Sequence, residues 1–297
     1  MPFPAASRRY AIVCIVLATA ACSERPADTH SAVTDDFGDT VATTTAPVRI
    51  VSLNPSTTEV LFALGEGPHV VGRTAYDHFP AEVSRVADLG AGLKPNVEAV
   101  LATHPDFVLL YASADNRDAA RRLRASGVAT AAYRMDKIAD LMRVTTALGA
   151  LTHQEAAARK MIDTVEASLS RVRSATASLP HVKVFWPFWD SPLLSVGRGS
   201  FVNELIDIAG GRNVFDDLAE PSPVVTFEEL LKRDPDVVIA GATSKARYSS
   251  AARWQSLRAV KEGHVLVVDS TIITGPSPRI GAGAASLAHA LHPTLRF

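Results

Sequence analysis

Asn96-Val-Glu98-Ala-Val-Leu-Ala-Thr103 runs into His104-Pro105-Asp106-Phe-Val-Leu-Leu110, and Thr226-Phe-Glu-Glu229-Leu-Leu-Lys-Arg233 runs into Asp234-Pro235-Asp236-Val-Val-Ile239. The spacing from capping residue to proline is the same in both. Each stretch reads as a short helix opened by Asn or Thr and stopped before a proline, then a wholly apolar strand of the kind buried on both faces of a parallel sheet. Two copies of one unit predict two similar α/β lobes.

A second pair of segments agrees. Arg49-Ile-Val-Ser-Leu53 leads into Asn54-Pro-Ser-Thr-Thr-Glu59 and an apolar helix stopped at Gly65, while Leu194-Ser-Val-Gly197 leads into Ser200-Phe-Val-Asn-Glu204 and a helix stopped at Gly210 and Gly211. Glu59 and Glu204 thus take corresponding places. An acid in the first helical turns favours the macrodipole by ~0.3 to 1 kcal/mol, and Ser56 with Glu59 fits a capping box. Asn54 followed by Pro55 competes as the true cap and first helical residue, which would move Glu59 a turn inward. Helix punctuation and an acidic handle on each lobe are the two readings.

Between the lobes, residues 152–178 contain neither Gly nor Pro and are rich in helix formers. Met161, Val165, Leu169 and Val172 recur at three- and four-residue steps, giving one apolar stripe. About two dozen residues at 1.5 Å each span roughly 35 Å, the length of a lobe, so a stiff helical spine is expected.

With 297 residues, 47% hydrophobic and 21% charged, the chain can fill two ordinary cores. A net charge of −1 with no basic block argues against a nucleic-acid partner. Arg8 and Arg9 precede an apolar run from Ala11 to Ala21, long enough for an export signal and too short to span a bilayer. Of the two cysteines, Cys14 lies inside that run, leaving Cys22 as a lone thiol after Ala20 and Ala21. Residues 23–47 have too few apolar side chains to fold alone and read as a tether, with a small edge strand within Asp36 to Val41. The divisions are therefore a signal peptide at 1–22, a tether at 23–46, an N-terminal lobe at 47–152, a connecting helix at 153–178 and a C-terminal lobe at 179–297.

Chemical signatures are sparse. Gly-x-Ser-x-Gly, Walker A and His-Glu-x-x-His are absent, so the common hydrolase and nucleotide readings fail. Gly197-Arg-Gly199-Ser200 and Gly281-Ala-Gly283 lack the full dinucleotide fingerprint. His69, His78, His104, His153, His181 and His264 are spread without a short-spaced pair, which disfavours zinc or manganese capture. Neither catalysis nor a resident cofactor is expected, with a secreted enzyme as the alternative.

Arg49-Ile-Val-Ser-Leu with Thr58-Glu59, Val70-Val71-Gly72, Asn96-Val97-Glu98 with Pro105-Asp106, Gly199-Ser200 with Asn203-Glu204, Gly210-Gly211-Arg212-Asn213, Pro235-Asp236 and Ser277-Pro278-Arg279-Ile280 together resemble the helical-backbone substrate-binding proteins of ABC importers for cobalamin and iron complexes. The resemblance covers roughly Asp36 to Pro293. It implies two Rossmann-like lobes with central β-sheets, joined by one long α-helix, with the ligand cleft between them. It also implies a monomer that docks on a permease dimer served by ATPase subunits, through outward-facing Glu59 and Glu204. Cys22 resembles the lipobox cysteine of bacterial lipoproteins, although Thr19 departs from the usual aliphatic residue. Lipidation would place the protein on the outer face of the cytoplasmic membrane; cleavage after an Ala-x-Ala site would leave it soluble.

The ligand is then expected at loops following the strand ends. Candidates are Tyr76, His78 and Phe79 and the loop from Gly90 to Lys94 on the first lobe, and Trp186, Phe188, Trp189, Ser222, Thr271 and Arg279 on the second. Core packing is the competing reading for Trp186, and a carbonyl cap for Arg279. Tyr76-Asp-His-Phe-Pro80 looks like the corresponding run of cobalamin-binding relatives. A second-lobe loop that can carry Trp in those relatives reads Pro221-Ser222-Pro223 here, leaving a ferric siderophore or haem, with Tyr76 or His78 as axial ligand, as alternatives.

Overall fold

The structure, a computed structural model, describes residue 1, residues 31–269 and residues 275–297. The expected signal peptide with Cys22, and Thr271, lie outside the described residues. The first described elements are β1 (Ser31–Thr34) and β2 (Thr40–Thr43), an antiparallel hairpin. Within the expected tether, residues 31–43 are instead bound to the first lobe. Asp36 grips Arg143 through two bonds of 2.9 Å, Asp36 N–H donates to the Ala132 carbonyl, and Arg117 covers the Phe37 ring.

The first lobe continues through β3 (Ile50–Ser52), α1 (Pro55–Ala63), β4 (Val70–Arg73), β5 (Ala87–Asp88), α2 (Val97–Ala102), β6 (Phe107–Tyr111), α3 (Arg117–Ala125), β7 (Ala129–Tyr133) and α4 (Ile138–Leu151). Its sheet has the order β5-β4-β3-β6-β7, all parallel. The chain starts near the middle, winds outward through β4 and β5, then jumps to β6, which creates a switch point beside β3. Strand residues alternate between two cores: Ile50, Phe107 and Leu109 face one, Val51, Val108 and Leu110 the other. Burial on both faces is why these strands read as unbroken apolar runs.

Helix α5 (Glu155–Thr176) follows, with Ala158, Val165, Leu169 and Val172 buried and Met161 partly so. A Cβ on Gly149 of α4 would sit 2.5 Å from the Ala158 methyl, so that helix lies close against the spine.

The second lobe comprises β8 (Val182–Phe185), β9 (Pro187–Asp190), β10 (Leu193–Ser195), α6 (Phe201–Ile208), β11 (Gly211–Asn213), α7 (Phe227–Arg233), β12 (Val237–Ala240), α8 (Lys245–Ser250), α9 (Arg258–Lys261), β13 (Val265–Val267) and α10 (Ile280–Leu291). Its parallel sheet runs β11-β8-β12-β13, and β9 with β10 forms a separate antiparallel hairpin. One continuous core takes in the spine, α1 and α4 of the first lobe, and α6 and α10 of the second. The two lobes are therefore held by shared apolar packing as well as by the chain.

Candidate functional site

A cavity of about 790 Å3 opens between the lobes, within the ~300–1,000 Å3 of small-molecule sites. The first lobe supplies its floor from the C-terminal ends of its parallel strands: Leu53 after β3, Thr74 and Tyr76 after β4, Leu93 after β5, Tyr111 at the end of β6 and Asp136 after β7. The second lobe supplies Phe188 from the β9–β10 hairpin, Ser200 and Phe201 at the start of α6, Ser222, and Gly275.

Local chemistry explains how these groups are held. Asn54 caps α1, its side chain accepting from Ser56 N–H at 3.0 Å with Pro55 at the first helical position. That settles the cap in favour of Asn54, and Ser56 is left lining the cavity. Tyr76 follows a tight turn in which the Asp77 carboxylate accepts from Thr74 N–H at 2.9 Å and from the Thr74 hydroxyl at 2.5 Å. The ring of Tyr76 is 62% exposed. Tyr111 donates its hydroxyl to Asp136 at 2.7 Å; burial, and then that carboxylate, push the phenol well above its ordinary value. Tyr111 therefore stays a neutral donor. Gly92 is required, because a Cβ there would lie 2.2 Å from the Leu53 carbonyl oxygen.

The expected ligand residues divide. Tyr76, Phe188 and Ser222 line the cavity, as does the 91–93 loop. His78 and Phe79 line a separate small pocket of about 80 Å3 with Glu59, Asp77 and Arg279, which adjoins the cavity through Pro55 and Tyr76. Trp189 is 61% exposed on the hairpin, bonded to the Ser191 carbonyl, and does not line the cavity. Trp186 is corrected to a core residue: it is 4% exposed and faces the spine side of the sheet. The split follows from a change of sheet: Trp186 lies between β8 of the parallel sheet and β9 of the separate hairpin, so the pleat of β8 does not carry over to Phe188.

Glu59 is the main correction. It is 6% exposed and accepts two hydrogen bonds from Arg279 of the other lobe, Nε at 2.9 Å and Nη2 at 2.7 Å. A buried, bidentate carboxylate does not face outward. The guanidinium also covers the Phe79 ring at 4.1 Å, and the bond to Glu59 raises its pKa further. Glu204 is one-third exposed and is engaged as well: it accepts from Ile138 N–H at 2.9 Å and lies 3.5 Å from Lys137 Nζ.

Sequence reasoning did not find Ser56, Tyr111 or Asp136. A tyrosine closing the otherwise aliphatic run Phe107 to Tyr111 was the available signal for one of them. Among the described residues no cluster of His, Cys, Asp or Glu forms a metal centre, and no helix is long and apolar enough to cross a membrane.

The chain is similar to known proteins. The chain is 29% identical over 255 residues to an uncharacterized ABC transporter substrate-binding lipoprotein of Bacillus subtilis (strain 168), covering 83% of this chain and 81% of that one. It is 30% identical over 264 residues to a cobalamin-binding protein of Halobacterium salinarum (strain ATCC 29341 / DSM 671 / R1), covering 84% and 70%. The fold matches the periplasmic heme-binding protein RhuT from Roseiflexus sp. RS-1 in apo form at a TM-score of 0.75 and 21% identity, over 82% of this chain and 98% of the other. The family model described as periplasmic binding protein matches residues 50–271, and the chain belongs to that family of binding proteins.

Proposed function

We propose that the protein captures a corrinoid and delivers it to the membrane permease of an ABC importer. The observation that carries the ligand class is the charge of the cavity: its described lining holds one acid, Asp136, neutral polar groups and exposed aromatics, and neither Lys nor Arg. Arg279, in the small pocket that adjoins the cavity, is paired with Glu59. Such a lining suits a large neutral ligand edged with amides, walled by Tyr76 and Phe188, better than the carboxylates of haem or of an acidic siderophore. The 30% relative named for cobalamin supports the same choice. The protein binds and releases without chemistry.

Titration of the purified protein with cyanocobalamin, haem and a ferric hydroxamate, followed by tryptophan quenching, decides the ligand. Submicromolar cyanocobalamin binding with the others at least tenfold weaker is expected; tighter haem binding would sink the corrinoid assignment.

Docking passes from the buried Glu59 to a different acidic pair. Glu98 and Glu228 are exposed, each two residues after a helix cap whose side chain accepts from the third helical N–H, Asn96 for α2 and Thr226 for α7. Each helix begins just after a cavity-lining loop, at Leu93 on one lobe and Ser222 on the other, so the acids flank the cleft and can register a basic permease surface. Glu98→Lys with Glu228→Lys is expected to abolish uptake in cells while leaving ligand affinity unchanged. Anchorage through a lipid on Cys22 is the accompanying proposal, tested by the disappearance of fatty-acid label in Cys22→Ala.

A further inference from the structure

Glu59 and Glu204 occupy corresponding helices of the two lobes, α1 and α6, and each reaches across to the other lobe. The target is the same in both directions. Glu59 takes Arg279, the residue capping α10, the last helix of the second lobe. Glu204 takes Lys137, the residue capping α4, the last described helix of the first lobe before the spine, together with the first helical N–H at Ile138. Both last helices pack on the spine through a glycine: Gly149 of α4 against Ala158, and Gly281 of α10 where a Cβ would lie 1.8 Å from the Ser168 hydroxyl. The arrangement is a pseudo-twofold pair of clasps about α5.

Each clasp is surrounded by further inter-lobe contacts beside the cavity. Near Glu59, a Cβ on Gly275 would lie 2.2 Å from the Ser56 hydroxyl, so the Gly275 backbone meets the Ser56 side chain there. Near Glu204, Phe201 N–H donates to the Asp136 carbonyl at 2.9 Å and Lys137 Nζ to the Arg198 carbonyl at 2.6 Å. Ser56, Asp136 and Phe201 all line the cavity. The two ties differ in strength: the Glu59 pair is bidentate with a buried carboxylate, while Glu204 and Lys137 are each one-third exposed.

We propose that Glu59 and Glu204 are inter-lobe positioning residues whose reciprocal clasps fix the width of the cleft, with the Glu59–Arg279 clasp dominant. Neither residue needs to touch ligand or permease for this. The inference does not depend on which ligand the cleft takes.

The test is the inter-lobe distance distribution in the ligand-free full chain, from paired electron-spin labels on Arg121→Cys and Lys232→Cys with Cys14 and Cys22 replaced by Ser. Glu59→Gln is expected to broaden the distribution, Arg279→Gln to match it, and the two together to add nothing to either. Glu204→Ala is expected to broaden it less, and independently. With cyanocobalamin as probe, Glu59→Gln raises the dissociation rate roughly tenfold. A lowered melting temperature with an unchanged distance distribution in folded Glu59→Gln and Glu204→Ala would mean merely structural ties and would overturn the proposal. Should Glu59→Gln not fold, Glu204→Ala alone decides it, since its carboxylate is partly solvated. Absence of cyanocobalamin binding would reject the corrinoid reading and leave the distance measurement standing.

Discussion

The two lobes share a plan and differ in what fills it. On the side away from the spine, the first lobe is packed with aliphatic residues such as Val51, Leu53, Val108, Leu110 and Leu123. The second is packed with rings: Trp254 meets Tyr248 at 4.6 Å, Phe227 at 5.4 Å and Phe185 at 6.1 Å between centroids. Their cleft faces differ too. The first lobe turns its parallel strand ends directly to the cavity, whereas the second interposes the β9–β10 hairpin and the loop at Pro221 and Ser222. A floor fixed by five hydrogen-bonded strands resists change, while a hairpin and a loop can change their side chains without disturbing a sheet. The first lobe therefore presents the less alterable face of the cleft, and the second the more alterable one.

Removing one ring from the second lobe tests that division most strongly. Trp254→Ala leaves a cavity among three other aromatics and is expected to cost about 3–5 kcal/mol in urea unfolding. Because Phe185 of β8 packs on Trp254 and leads directly into the hairpin, ligand affinity should fall with it. An aliphatic truncation in the other lobe, Leu123→Ala on α3, is expected to cost about 2–5 kcal/mol and leave affinity nearly unchanged. Equal losses of affinity from the two would erase the distinction between the two faces of the cleft.

Neighbouring aromatics sharpen it further. Phe188→Ala is expected to weaken ligand binding roughly tenfold, about 1–2 kcal/mol of lost apolar contact, with stability unchanged because the ring is half exposed. Trp186→Ala should do the reverse, lowering stability with little direct effect on the binding surface. On the floor, Tyr111→Phe removes the bond to Asp136 and is expected to cost about 1 kcal/mol, read from denaturant midpoints.

How much of this the chain displayed in advance depended on range. The lobes, the spine and the cap-to-proline repeats are local patterns, and local patterns are legible because periodicity fixes which face is buried. The stripe Val165, Leu169 and Val172 is buried as its spacing implies. The pairing of Glu59 is hidden for the opposite reason: its position on α1 is local, but its partner Arg279 is 220 residues away, and spacing carries nothing about that meeting. Trp186 was ambiguous because the parity of a strand cannot be read until its edges are known. The hairpin at residues 31–43 looked too polar to fold, and alone it would be; Arg143, Arg124 and Arg117 from the first lobe satisfy Asp35 and Asp36 and cover Phe37.

The smallest expected effect concerns Asp77, which shapes the Tyr76 loop on the first lobe. It is 3% exposed, and its Oδ1 has no hydrogen-bond partner while Oδ2 takes both bonds from Thr74. Burial raises its pKa above the ordinary 3.8 against the pull of the neighbouring Thr58 hydroxyl, of the bonds from Thr74 and of Arg73. A carboxyl raised on folding contributes stability that is fully present below its unfolded pKa and lost as pH rises through the folded value. Asp77→Asn carries no charge and escapes that loss. The variant should therefore gain on the wild type between pH 3 and pH 7, measured as the difference in urea midpoint at each pH, where titration of other groups cancels. A difference that is constant with pH would mean that folding leaves the Asp77 pKa unshifted, and a variant that loses on the wild type as pH rises would mean that the bonds from Thr74 hold the carboxyl in its ionised form.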